Sequence, residues 1–230
     1  MIAVIVPAHN EAAVIGACLD SLAVAAAHPG LDGEAVLVLV ALDHCTDATA
    51  AICAAHGVAC VPLQARCVGT ARDTAAQQAV ALGARWIAST DADTVVPPDW
   101  LWRQLACGAD AFCGVVGVHD WRGYSDAVRI AFTRSEQCHD GHRHVHGANM
   151  GFSARAYAAA GGFPSLATGE DVALARALEA NGERIAWLAQ PQVVTSARRS
   201  ARAPQGFSQF LRALEEQVGP VPMAGRALRA

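Results

Sequence analysis

Ile2-Ala-Val-Ile-Val-Pro-Ala-His-Asn-Glu11 reads as a strand that runs straight into a polar turn. An unbroken apolar run from Ile2, ended by Pro7, predicts a strand buried on both faces. The residues after it have helical spacing over Glu11 to Ala27, with Val14, Ala17, Cys18 and Leu22 on one stripe and Asn10 placed as the N-cap. The alternation then repeats: strand 35–42, helix 46–56, strand 58–63, helix 70–82 and strand 86–90. Strands that alternate with helices and are apolar on both faces predict an α/β chain with a mostly parallel central sheet flanked by helices. Beyond it the pattern is less regular: strand 112–118, helix 125–138, strand or turn 147–153, helix 169–181, strands 184–188 and 193–195, and an amphipathic helix at 206–218.

Composition narrows the class. Of the 230 residues, 53% are hydrophobic and 17% charged, enough for a sizeable core and incompatible with global disorder. Seventeen basic against 21 acidic side chains give a net charge of -4, the wrong sign for a general nucleic-acid surface. The longest apolar run, Ala35 to Leu42, is far short of the roughly 20 residues a spanning helix needs. Met1 to Pro7 has no basic leader. The expectation is a cytoplasmic protein with no membrane span and no nucleic-acid partner. The eight cysteines include no C-x-x-C, so they read mostly as small buried hydrophobes.

In a parallel sheet, ligands sit at the carboxyl ends of the strands. Pro7 to Glu11, Asp43 to Asp47 and Asp91 to Asp93 each follow a predicted strand. In Ser89-Thr-Asp-Ala-Asp93, residues i and i+2 of an extended end share a face, so two carboxylates converge, an arrangement suited to Mg²⁺ or Mn²⁺. The alternative is that one aspartate caps the following turn. Gly169-Glu-Asp171 lies at a helix start, either as acids favoured by the dipole or as a general base. Gly69-Thr-Ala-Arg72 opens a helix, either as a diphosphate site or as a turn with a surface arginine.

Together, in this order, these elements resemble the family 2 glycosyltransferases of the GT-A fold. The resemblance runs through Ile5-Val-Pro-Ala-His-Asn-Glu11, Asp43-His-Cys-Thr-Asp47, Gly69-Thr-Ala-Arg72, Asp91-Ala-Asp93, Gly147-Ala-Asn-Met-Gly-Phe152, Gly161-Gly-Phe163 and Gly169-Glu-Asp171. It implies one GT-A domain over 1–230: a nucleotide-binding half over about 1–95, an acceptor and catalytic half over about 96–195, and a C-terminal Arg-rich loop and helix. It further implies a nucleotide-diphosphate sugar donor, a divalent cation (Mn²⁺ or Mg²⁺), an unidentified acceptor and inversion at the transferred sugar. Residue by residue, it implies that Pro7, Ala8 and Glu11 line the nucleotide pocket and that Asp43 approaches the base. Arg72 would lie near the base or diphosphate, and Asp91 near the ribose and metal. Asp93 would ligate the metal, Asp171 would be the catalytic base, and Glu170 would orient the acceptor or its loop. Two departures stand out: Leu42 precedes Asp43 where relatives pair acids, and Val194-Thr-Ser-Ala-Arg198 lacks the histidine that many relatives carry there.

Cys138-His-Asp-Gly-His-Arg-His-Val-His146 is rich in potential metal ligands, and His144 and His146 share a face if extended. With no ligand set evident, acceptor-contacting or solvated histidines are preferred to a zinc site, and Asn149 joins His144 and His146 as candidate acceptor residues. Arg198, Arg199 and Arg202 form either a lid over the diphosphate or a basic surface loop. The helical stripe Phe207, Phe210, Leu211 and Leu214 is expected to dock on the core. Rival functions are a non-catalytic nucleotide- or glycan-binding module of the same fold and a sugar-nucleotide pyrophosphorylase. The latter needs a glycine-rich N-terminal loop, and Val6 to Glu11 contains no glycine.

Overall fold

A computed structural model describes residues 1–121, 123–136, 138–199 and 206–219. Seven strands form one sheet: β1 (Ile2–Ala8), β2 (Val36–Asp43), β3 (Ala59–Leu63), β4 (Trp86–Ser89), β5 (Ala111–Gly117), β6 (Met150–Ser153) and β7 (Ile185–Val194), in the order β3-β2-β1-β4-β6-β5-β7. β1, β2, β3 and β4 are parallel, whereas β6 runs antiparallel to both β4 and β5, and β7 is parallel to β5. The two segments expected at 184–188 and 193–195 are one strand, β7, whose pairing with β5 slips in register between Gly114 and Val116.

Helices cover both faces: α1 (Ile15–Ala26), α2 (Thr49–Ala55), α3 (Val68–Ala81), α4 (Trp100–Ala106), α5 (Asp126–Ser135), α6 (Ala154–Ala160), α7 (Glu170–Ala180) and α8 (Phe207–Val218). Side chains of successive strand residues point to opposite faces. In β1, Ile2, Val4 and Val6 therefore meet the core beneath α1 and α4, while Ala3 and Ile5 meet α3, α6 and α7 on the other side. α3 buries Ala71, Ala75, Ala76 and Ala79, small residues that let the helix lie close against β1 and β2. On α8, Leu211 and Leu214 are buried and the helix packs on α5, with Phe207 and Phe132 rings 5.7 Å apart, but Phe210 of the expected stripe is exposed.

Three local expectations change. Asn10 does not cap α1, which begins at Ile15 after a turn. Asn10 instead takes a left-handed φ of 55°, and its Oδ1 accepts from the amides of Thr46 and Asp47 at 2.7 and 3.3 Å. α4 and α6 had no clear signal: each is only seven residues long, too short to show a stripe. Of the cysteines, only Cys18, Cys53 and Cys113 are buried, Cys60 and Cys138 are exposed, and all eight are free thiols. No helix among the described residues is long and apolar enough to cross a membrane.

Candidate functional site

The carboxyl ends of β1, β2 and β4 meet the N-terminus of α7 around a cleft of about 740 Å³. Parallel strands all deliver their carboxyl ends to one edge, so the three polar segments singled out in the sequence converge there. Pro7, Ala8, Glu11, Asp43, Arg72, Asp91, Asp93, Glu170 and Asp171 all line this cleft. His9 lines it too, and its Nδ1 lies 2.7 Å from the Asp43 carbonyl oxygen, tying the first two strand ends together.

Asp43 is almost fully buried. Its Oδ1 accepts from the amides of Ala65 and Arg66 at 2.8 and 2.9 Å, and its Oδ2 from that of Cys67 at 2.9 Å. A carboxylate has about four acceptor positions, so most of its capacity goes to shaping the loop that leads into α3. The start of α3 is likewise not open. The Gly69 amide donates to the Leu166 carbonyl, and a side chain there would collide with the 164–166 backbone. Gly69 itself is therefore packed against protein, whereas Val68, Ala71 and Arg72 of the same helix start line the cleft.

Arg72 is the hub of the cleft floor. Its side chain is only 3% exposed and makes three bonds: Nη2 to Asp91 Oδ1 at 2.5 Å, Nη1 to Glu170 Oε1 at 3.0 Å, and Nε to Ser89 Oγ at 3.2 Å. Burial opposes the charge on Arg72, but the carboxylates of Asp91 and Glu170 outweigh it and raise its pKa. Burial also raises the pKa of Glu170, with Arg72 pulling it back. Glu170 thus gives one carboxylate oxygen, Oε1, to Arg72 while lining the cleft. Ser89, quoted within the aspartate motif but given no role from sequence, donates to the Gly147 carbonyl at 2.8 Å. Gly147 has to be glycine, because a Cβ there would run into the Arg72 guanidinium.

Asp171 sits on the first turn of α7, just after the left-handed Gly169. Its Oδ2 accepts from the Gly147 amide at 2.8 Å and its Oδ1 from the Val172 amide at 2.8 Å. These contacts aim a half-buried carboxylate into the cleft, where it can accept a proton.

Across the cleft Arg198 joins two acids, with Nη1 2.6 Å from Glu11 Oε2 and Nη2 3.3 Å from Asp93 Oδ2. Burial pushes the Asp93 pKa up to about 6; Arg198 opposes that shift, and the charges of Asp91 and Glu11 add to it. Seven carboxylates and three guanidiniums line the cleft among the described residues, so it carries excess negative charge. Asp91 and Asp93 supply oxygen donors only. That set fits a hard divalent cation, which is ordinarily held by one or two carboxylates with the rest of its shell from substrate phosphates.

Asn149 is corrected outright. It is fully buried: its Oδ1 accepts from Trp100 Nε1 at 2.9 Å, and its Nδ2 donates to the carbonyls of Val115 and Pro191 at 2.8 and 2.9 Å. It is a strut between β5, β7 and α4, with no hydrogen-bonding capacity turned to the cleft. Arg199 faces away, paired with Glu215 on α8 at 2.6 Å and lying over the Tyr124 ring, so among the described residues of the expected lid Arg198 alone lines the cleft. Arg202 lies outside the described residues. His144 and His146 do line the cleft, and their rings stack with centroids 6.1 Å apart. Glu136, also on the cleft wall, went unnoticed in the sequence because it ends a helix with no motif around it.

Residues 3–159 match the family model described as glycosyl transferase family 2. Among solved structures, the chain is similar to S. aureus TarS 1-349 in complex with UDP-GlcNAc, at 16% identity and a TM-score of 0.67, covering 94% of this chain and 65% of that one. It is also similar to a mannosyltransferase from Pyrobaculum calidifontis in complex with GDP-Man and Mn²⁺, at 21% identity and a TM-score of 0.62, covering 92% and 68%. A third is glucosyl-3-phosphoglycerate synthase from Mycobacterium tuberculosis in complex with phosphoglyceric acid, at 19% identity and a TM-score of 0.56, covering 95% and 77%. The chain spans less than two thirds of the TarS fragment's length, and at these identities the likeness is one of fold, the GT-A type. No curated protein sequence matches the chain. The chain belongs to glycosyl transferase family 2, whose model covers well over half of it.

Proposed function

We propose that this family 2 chain is a metal-dependent, inverting glycosyltransferase that moves a sugar from a nucleotide-diphosphate donor to an acceptor hydroxyl. The observation that carries the reading is the convergence on one cleft of Asp171, held by the Gly147 amide, with Asp91, held by Arg72. In that reading the nucleotide lies along the ends of β1 and β2, against Pro7, Ala8 and the loop organised by Asp43. Asp91 and Asp93 hold Mn²⁺ or Mg²⁺, and the ion, when bound, neutralises charge on the departing diphosphate.

The chain's own residues do the remainder. Asp171 takes the proton of the acceptor hydroxyl as its oxygen bonds to the anomeric carbon. The bond from that carbon to the diphosphate breaks on the opposite face, and its electron pair leaves with the phosphate oxygen. Arg72 keeps Asp91 and Glu170 oriented, so both hold their positions before substrate arrives. Arg198, paired with Glu11 and Asp93 in the structure, is the residue best placed to turn onto the diphosphate.

Calorimetric titration with UDP-, GDP- and dTDP-sugars, with and without Mn²⁺, tests this directly. Metal-dependent binding of one nucleotide, lost in Asp93→Ala, is the expected result. Absence of nucleotide binding under every metal condition would leave a fold without this function and promote the binding-module alternative.

A further inference from the structure

Glu136, His144 and His146 bring one carboxylate oxygen and two imidazole nitrogens within 4.8 Å of one another on the cleft wall. We propose that they form a second metal site, specific for a Zn²⁺-class transition ion and separate from the Asp91–Asp93 pair. The proposal concerns this ion alone and does not depend on glycosyl transfer.

The strongest observation is a pair of orphaned atoms. Glu136 Oε2 and His146 Nε2 are both buried without a hydrogen-bond partner, and they face each other 3.4 Å apart. Buried polar atoms normally find a partner, and leaving one unmade costs about 1–3 kcal/mol. Two ligands at about 2.0–2.2 Å from a tetrahedral ion lie about 3.3–3.6 Å apart, which is the separation seen here. The third ligand atom lies within 4.8 Å of the other two.

The surroundings are built to hold this arrangement. Glu136 is 2% exposed and sits at the carboxyl end of α5, where the helix dipole disfavours an anion, so its carboxylate favours a cation close by, a role open to a metal ion or to protonated His146. His142, nearly fully buried, accepts the His144 amide on its Nδ1 at 3.1 Å, which leaves its Nε2–H to donate to the Leu188 carbonyl at 3.2 Å. That histidine is therefore a strut, and the rings of His142, His144 and His146 stack in sequence with centroids 5.8 and 6.1 Å apart. The His146 carbonyl is fixed as well, accepting from the Asn149 amide at 2.8 Å. Two imidazoles and one carboxylate suit zinc, with a fourth position left for solvent or a substrate oxygen. The cleft that this position faces is also lined by Asp171.

The test titrates metal-stripped protein with Co²⁺, a spectroscopic stand-in for Zn²⁺, and follows the visible d–d absorption. One equivalent is expected to saturate the band, Zn²⁺ to displace it, and Asp93→Ala to retain it. His146→Ala and Glu136→Gln are each expected to lose it while melting like the parent in chelator. Zn²⁺ is expected to raise the melting temperature of the parent and of Asp93→Ala, but not of His144→Ala. No band in the parent, a band surviving both His146→Ala and Glu136→Gln, or a band lost in Asp93→Ala overturns the proposal. A near-ultraviolet thiolate-to-cobalt band does the same, by assigning the ion to the exposed Cys60 or Cys138. Failure here leaves the nucleotide titration untouched, because that experiment reads Asp93.

Discussion

Along the ends of β1, β2 and β4 the buried charges are matched. Arg72 lies between Asp91 and Glu170, Asp43 collects three backbone amides, and Arg198 bridges Glu11 and Asp93. On a second stretch of the cleft lining Glu136 Oε2 and His146 Nε2 face each other at 3.4 Å without a hydrogen bond. The first wall is organised by the protein itself and stays in place with nothing bound. The second is organised in its backbone and left open at its side-chain tips, as expected of a wall completed by something from outside the chain. A buried network that satisfies its own members is rigid, and one that leaves members unpaired is costly to keep.

The contrast can be broken at several points. The largest effect is expected from Asp171→Asn, which keeps an acceptor for the Gly147 amide but cannot take a proton. Turnover is expected to fall by about 10²–10⁴-fold with donor affinity unchanged. Turnover within tenfold of the parent would move the base elsewhere. Next comes Arg72→Met, which strands two carboxylates on the matched wall. A stability loss of about 3–5 kcal/mol is expected, measured by denaturant unfolding without metal, and a loss under 1 kcal/mol would mean that the hub is not structural.

A smaller effect, of opposite sign, is expected at Asp93. Its pKa rises from the ordinary 3.8 to about 6, so the folded chain holds this proton more tightly than the unfolded one. Ionising it therefore subtracts stability as pH climbs from about 4 to about 6, by up to about 3 kcal/mol in total. Asp93→Asn is expected to be the more stable protein at pH 7 and to converge with the parent below pH 4; parallel stability curves across that range would remove the account. The smallest effect separates the two described arginines. Arg198→Ala is expected to raise the donor KM about tenfold, an energy of about 1.4 kcal/mol, while Arg199→Ala leaves it unchanged. An unchanged KM in Arg198→Ala eliminates the lid.

Much of the first wall was legible in the chain. Strand ends in a parallel sheet must emerge on one edge, so Pro7 to Glu11, Asp43 and Asp91 to Asp93 were bound to meet once the alternation of strands and helices was read. What each side chain does there was far less legible. Asn149 sits in a segment that pointed to the acceptor pocket, yet it is a buried strut, because the bend just before β6 turns its side chain onto Trp100, Val115 and Pro191 from other elements. Glu170 and Asp171 are adjacent, and only the turn of α7 sends one to Arg72 and the other to the Gly147 amide. Arg198 and Arg199 are adjacent as well; one enters the cleft and the other braces α8.

By itself, the sequence determined the layered α/β architecture, the edge of the sheet that carries chemistry and the family to which the chain belongs. Those follow from local periodicity and from strings of neighbouring residues, which a one-dimensional chain records in full. Tertiary structure alone decided that Arg72 would clamp acids from the loop after β4 and from α7, and that Glu136 at the end of α5 would meet His144 and His146 on the cleft wall. The first union joins residues far apart in the chain, and the second joins side chains that only the fold turns toward one another. Burial fixes their charges within a few ångströms of one another, and no spacing rule in the chain carries that distance.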